Sequence, residues 1–167
     1  YNHLLRDSLE VLIKRYKQTE IFENPVNKRQ LPEAVIFDID GTLAHMNGKR
    51  GPFDFDKVLL DDCDNIVKEY VNYHYNKQRY VIILSGRDDS SYDDTESWLV
   101  TNGIPFDHLY MRNTGDDRKD SIVKEDIFNT HIKDIYSVFT VFDDRQQVVD
   151  MWRKLGLKCF QVQAGKF

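Results

Sequence analysis

The stretch Ala34-Val35-Ile36-Phe37-Asp38-Ile39-Asp40-Gly41-Thr42 places four apolar residues ahead of two aspartates, a glycine and a threonine. A short apolar run of this kind reads as a buried strand. The two carboxylates, two residues apart, then leave the strand at its carboxyl end. Negative charge at the rim of an apolar layer needs compensation, and a divalent cation with its preference for oxygen ligands is the natural source. Beside such a cation one aspartate can act as a nucleophile while its neighbour exchanges protons with a leaving group or water. Gly41 permits a tight turn with the backbone close to a ligand. Taken alone, the stretch is equally compatible with an ordinary polar strand end.

Outward from this stretch, strands and helices alternate. Tyr80-Val81-Ile82-Ile83-Leu84, His108-Leu109-Tyr110-Met111, Val138-Phe139-Thr140-Val141-Phe142 and Leu157 to Val162 read as four further strands. The spacing predicts a helix over 56–76, with Leu59, Cys63, Ile66, Val67, Tyr70, Val71 and His74 along one face. Further helices are expected through 96–100, ending at Asn102-Gly103, and over 118–134 and 145–155. Such alternation implies an α/β fold, a five-stranded mainly parallel sheet covered on both faces. Ahead of it, Leu4, Leu5, Leu9, Leu12, Ile13 and Tyr16 recur at helical spacing, so 1–18 reads as an amphipathic helix. The stretch 19–33, with two prolines and no periodicity, reads as an extended arm. The compact domain is expected over 34–167.

In a sheet of this type ligands bind beyond the carboxyl ends of the strands. The second strand ends in Ser85-Gly86-Arg87, where a hydroxyl, backbone amides and a guanidinium can hold an anionic oxygen, although a plain β-to-α turn needs nothing more. The fourth ends in Asp143-Asp144-Arg145, a second acidic pair able to complete a cation's shell or to cap the next helix. Lys124 lies in the first turns of the intervening helix and is either a site cation or one more solvated lysine.

The chain has 167 residues, about one domain, with 23 basic and 28 acidic side chains for a net charge of −5. Hydrophobic residues make up 41%, enough for a core and too many for a disordered chain. No apolar run is long enough to span a bilayer and no signal peptide opens the chain, so a cytoplasmic protein is expected. Its mild acidity argues against a generic nucleic-acid coat. Cys63 and Cys159, 96 residues apart, form no metal-ligand pattern and read as reduced thiols. The five histidines likewise lack ligand spacing. The chain opens on Tyr1 rather than Met, which reads as an excised piece of a longer protein.

In combination these motifs resemble the four motifs of the haloacid dehalogenase superfamily: Asp38 and Asp40, then Ser85, then Lys124, then Asp143 and Asp144. The intervals of 47, 39 and 19 residues leave no room for a large cap domain, so an open site that admits a large substrate is expected. The segment Ala44 to Asp54, the segment Gly115 to Phe128, Asp143 to Val149 and the ending Gln163-Ala164-Gly165-Lys166-Phe167 are similar to the 3′-phosphatase domains of the T-even-phage polynucleotide kinase-phosphatases. No Gly-x-x-x-x-Gly-Lys-[Ser/Thr] motif occurs, so a kinase half is absent from this chain.

The resemblance implies Asp38 as nucleophile and Asp40 as general acid-base, with Ser85 and Lys124 holding the phosphoryl group. It implies Mg²⁺ bound by Asp38, the Asp40 main-chain carbonyl, Asp143 and Asp144. Thr42, Arg50, Gly86, Arg87, Arg112, Asp120 and Arg145 are the implied substrate-binding set. One extra residue before Gly51 leaves Lys49 as an alternative to Arg50. The implied partners are 3′-phosphorylated ends of DNA or RNA and a 5′-kinase domain; the N-terminal helix leaves docking on the domain, a bridge to the kinase and pairing in a homo-oligomer all open. The same chemistry on a phosphoprotein or a small phosphate ester, and a non-catalytic interaction module, are the alternatives. Phe53 could touch a terminal base, core or loop packing being the plainer expectation.

Overall fold

The structure, a computed structural model, describes residues 30–165. The expected helix 1–18 and residues 19–29 of the expected arm lie outside the described residues. Five strands form one parallel sheet: β1 (Glu33–Phe37), β4 (Tyr80–Asp88), β5 (His108–Arg112), β6 (Ser137–Asp143) and β7 (Cys159–Gln161), in the order β5-β4-β1-β6-β7. A two-stranded antiparallel hairpin, β2 (Ala44–His45) with β3 (Asp62–Cys63), follows β1. Four helices complete the fold: α1 (Asn65–Asn76), α2 (Tyr92–Thr101), α3 (Asp120–His131) and α4 (Gln146–Lys154).

Side chains on a strand alternate between faces, and β1 shows how that builds two cores. Val35 and Phe37 join Val67 and Val71 of α1 and Trp98 and Leu99 of α2 on one side. Ala34 and Ile36 join Phe128 of α3 and Val148, Val149, Met151 and Trp152 of α4 on the other. The result is the expected three-layer α/β architecture, and among the described residues no connection holds a cap domain. Phe37 stacks on Phe142 across the β1–β6 pair at 4.7 Å between ring centroids. Each fully buried side chain of this size is worth about 1.5–3 kcal/mol. Cys63 packs against the first core and Cys159 belongs to the second, so the sheet separates the two thiols, and both are free. No helix among the described residues is long and apolar enough to cross a membrane.

The single helix expected over 56–76 is not what forms. A 3-10 turn, Phe55–Leu60, and strand β3 occupy its first third, and α1 starts only at Asn65. Asp64 stops the helix from extending backward, because its carboxylate accepts the amides of Ile66 and Val67 as a cap. Leu59, Ile66 and Tyr70 are correspondingly exposed rather than core. The second strand also runs further than expected. β4 continues through Ser85, Gly86 and Arg87 to Asp88, with a break in register between Ser85 and Asp88.

Candidate active site

The carboxyl ends of β1, β4 and β6 are adjacent in the sheet, so the side chains leaving them converge. Asp38 follows β1 directly, its amide donating to the Phe142 carbonyl at 3.0 Å. The chain then folds back on itself: the amides of Leu43 and Ala44 both donate to the Ile39 carbonyl at 2.8 Å. Gly41, at φ +86°, takes the left-handed turn that this requires. A Cβ at Gly41 would lie 2.2 Å from Asp144 Oδ2, so only glycine allows this approach.

Two charge networks meet at the site. In the first, the buried Lys124 ammonium donates to Asp38 Oδ1 at 2.8 Å and to Asp143 Oδ2 at 2.9 Å, and lies 3.5 Å from Asp120 Oδ2. These carboxylates outweigh burial and hold the Lys124 pKa well above its ordinary value. Burial, with Asp143 and Asp144 adding to it, raises Asp38 well above the usual carboxylate range against the pull of Lys124. Burial next to Asp143 likewise pushes Asp144 up to about 6. Asp143 Oδ1 accepts the amides of Asp144 and Arg145 at 2.9 and 3.2 Å, so this aspartate both fixes the entry to α4 and faces the site.

The second network surrounds Asp40. Arg87 grips its carboxylate with two parallel bonds, Nε to Oδ2 and Nη2 to Oδ1, both 2.8 Å, and Arg50 Nη2 donates to Oδ1 at 2.7 Å. These cations overcome the effect of burial and lower the Asp40 pKa. Behind them lies Asp61, with a fully buried side chain. It accepts Arg50 Nε and Nη2 at 2.7 Å each and Arg87 Nη2 at 2.6 Å. The Asp61 carbonyl in turn accepts Trp98 Nε1 at 2.9 Å, which ties this point to α2.

Asp61 is the residue that sequence reasoning missed, because it fell inside the expected helix. Its trace was the surplus of cations: two arginines converging on one half-open carboxylate need a second counter-charge. Arg50, not Lys49, reaches the site, since Lys49 pairs with the exposed Asp62. The fork of Arg87, expected to face phosphate, is turned to Asp40 and Asp61.

The remaining expected residues sit around this centre. Ser85 is buried, its hydroxyl accepting the Arg87 amide at 3.2 Å. Arg112 donates to the carbonyls of Gly86, Asp116 and Arg118 and meets Asp120 Oδ1 at 3.3 Å. Arg145 Nη1 lies 3.4 Å from Asp120 Oδ2. Lys124, Arg145 and Arg112 together lower the Asp120 pKa despite its burial.

Asp38, Asp143 and Asp144 each bring a carboxylate oxygen within 4.8 Å of the others, all three buried. The Asp40 side chain is not part of this group, which leaves its main-chain carbonyl as the atom it can offer. Asp144 Oδ1 and Thr42 Oγ1 are buried without a hydrogen-bond partner among protein atoms. Buried, hard oxygen donors with unmet acceptor capacity fit a small divalent cation. Six carboxylates (Asp38, Asp40, Asp61, Asp120, Asp143, Asp144) face five cations (Arg50, Arg87, Arg112, Lys124, Arg145), one net negative charge. A divalent cation reverses that sign and makes the site attractive to a dianion.

Comparison with known proteins agrees with this chemistry. Residues 32–167 match the model of the polynucleotide kinase PNKP phosphatase domain. A protein of Autographa californica nuclear polyhedrosis virus, assigned as a bifunctional polynucleotide kinase/RNA ligase, is 35% identical over 154 residues, 87% of this chain and 22% of its own length. A chain in the solved Pnkp1/Rnl/Hen1 RNA repair complex superposes with a TM-score of 0.80 at 40% identity, over 89% of this chain and 48% of that one. The class C acid phosphatase of Bacillus anthracis superposes at a TM-score of 0.53 and 14% identity over 83% of this chain and 59% of its own, a likeness of fold alone. The chain thus spans about a fifth of the viral relative and about half of the repair-complex chain.

Proposed function

The chain belongs to the polynucleotide kinase phosphatase-domain family, a family of phosphoric monoester hydrolases, and on that premise we propose that it removes the 3′-phosphate from polynucleotide ends in nucleic-acid repair. The observation that carries this reading is the Asp38 carboxylate at the end of β1. It lies 2.8 Å from the Lys124 ammonium and within 4.8 Å of the Asp143–Asp144 pair, with Asp40 clamped close by.

Asp38 attacks phosphorus, the bond from phosphorus to the 3′ oxygen breaks, and the departing oxygen is protonated through Asp40, which Arg50 and Arg87 hold ionised at rest and which first takes that proton from solvent. The aspartyl-phosphate so formed is hydrolysed when Asp40 takes a proton from water and the water oxygen attacks phosphorus, releasing phosphate and restoring Asp38. Asp40 is the only one of these carboxylates with a half-open side chain, 23% exposed, which suits it to exchange protons with a substrate oxygen or water. Arg50 and Arg87, their donors directed at Asp40 and Asp61, act by fixing Asp40 in place. Lys124, Ser85 and the amides around Gly86 receive the phosphoryl oxygens, and Arg112 and Arg145 extend positive charge along the path of the polynucleotide. Mg²⁺ held by Asp38, Asp143, Asp144 and the Asp40 carbonyl would supply charge neutralisation for the dianionic phosphate.

The viral relative, of which this chain spans 22%, is described as a polynucleotide kinase/RNA ligase, which supports a polynucleotide kinase domain as partner of this one. The test compares phosphate release from 3′-phosphorylated DNA and RNA oligonucleotides, a phosphopeptide and p-nitrophenyl phosphate. Release from the oligonucleotides at the highest kcat/KM, abolished by Asp38→Asn and by EDTA, is expected. A preference for the phosphopeptide, or an active Asp38→Asn, refutes the reading.

A further inference from the structure

The hairpin β2–β3 is interrupted by an excursion, residues 46–61, whose inner side supplies both Arg50 and Asp61 to the Asp40 network. Immediately after Arg50 the chain makes a closed turn. The Gly51 amide donates to Asp54 Oδ2 at 3.0 Å, the Asp54 amide donates to the Gly51 carbonyl at 3.2 Å, and Arg50 Nη1 donates to the same carbonyl at 3.0 Å. The arginine that touches Asp40 therefore also holds the turn, and Phe53 sits in it. Three residues of chain span at most about 11 Å, which keeps the Phe53 backbone within that distance of the Arg50 backbone.

Phe53 is 83% exposed, more than any other large apolar side chain among the described residues. That excludes core packing. The excursion is anchored instead by Val58, fully buried, and by the Asp61 contacts with Arg50, Arg87 and Trp98. The Phe53 ring meets Phe55 at 6.4 Å between centroids with the two planes nearly perpendicular, and at 83% exposure a ring face of Phe53 stays open to solvent. Asp38 is buried, so only the phosphoryl group enters as far as that carboxylate. The nucleoside it is attached to stays outside, at the rim.

We propose that Phe53 is a substrate-binding residue on which the 3′-terminal base stacks while its phosphate lies at Asp38. This deepens the 3′-phosphatase reading and rests on it. A bare aromatic face accepts any base, so the site so built recognises the presence of a terminal base rather than its identity.

Four proteins test it: the unchanged chain, Phe53→Ala, Phe53→Leu and Phe53→Trp. Each is assayed with Mg²⁺ on a 3′-phosphorylated oligonucleotide and on the same oligonucleotide ending in an abasic 3′-phosphate. Phe53→Ala lowers kcat/KM on the base-bearing end about 5- to 150-fold, through KM. Phe53→Trp restores it, Phe53→Leu does not, and on the abasic end all four proteins are equal. Thermal melting of all four coincides, because the side chain is outside the core. Equal activity of Phe53→Ala and the unchanged chain on the base-bearing end overturns the proposal. So does an equal loss on both ends, or recovery in Phe53→Leu. An unchanged chain that releases phosphate from neither end overturns the 3′-phosphatase reading itself, and this stacking role with it.

Discussion

Asp61→Ala tests whether the buried arginine cluster organises the site. The substitution removes a carboxylate that accepts three bonds of 2.6–2.7 Å from Arg50 and Arg87 and has no solvent exposure. Two buried guanidinium groups are then left with Asp40 as their one carboxylate. Breaking a buried pair by deleting one partner costs about 3–5 kcal/mol, a large share of a domain's 5–15 kcal/mol or so. At this size that corresponds to a fall in Tm of roughly 6–20 °C. Asp40 also loses the backing that fixes its clamp, and misplacing a catalytic group by about 1 Å costs about 10²-fold in rate. Urea unfolding followed by circular dichroism reads the first effect, and kcat for phosphate release, at a temperature where the variant is folded, reads the second. Adding Arg50→Ala to Asp61→Ala should cost less than Arg50→Ala alone, with a coupling of about 0.5–3 kcal/mol. A variant within about 1 kcal/mol of the parent, with unchanged kcat, would show that the network contributes neither stability nor order.

Gly86→Ala places a Cβ 2.2 Å from Asp120 Oδ1, a carboxylate already held between Lys124, Arg112 and Arg145. A destabilisation of about 1–3 kcal/mol by thermal melting and a loss of phosphatase activity are expected, and an unaffected variant would mean that Asp120 can move freely. Burial, helped by the charge of Arg79, lowers the pKa of His74 below its ordinary 6.5. The unfolded chain therefore binds a proton that the fold resists, so stability is complete above about pH 6.5 and declines as pH falls through the lower, folded-state value. The urea midpoint of the parent should fall between pH 7.5 and 5.5, and His74→Gln should flatten that decline; an unaltered slope would assign the decline to other groups.

The apolar runs, the positions of the acidic pairs and the order of motifs were legible because each is local. Four apolar residues before Asp38 can be little else than a buried strand, and a parallel sheet then brings the carboxyl ends of its strands to one rim. Asp61 was not legible in this way. Its role depends on Arg50 and Arg87, the second of which is 26 residues away and comes from strand β4 of the main sheet. The helical spacing over 56–76 pointed elsewhere, and the capping bonds of Asp64 together with the pairing of Ala44 with Cys63 outweighed it. The two arginines show the same division. Sequence placed cations near the first and second motifs, while the fold alone turned their donors to carboxylates.

By itself, then, the sequence determined the layer architecture and where the two acidic pairs and Lys124 stand relative to the strand ends, because periodicity and strand ends act over a few residues. The tertiary structure decided which charges face one another, which aspartate keeps a part-exposed side chain and which aromatic ring is left bare to solvent. Those outcomes follow from burial and from pairs brought together across the sheet, where the cost of an unpaired charge selects the partner.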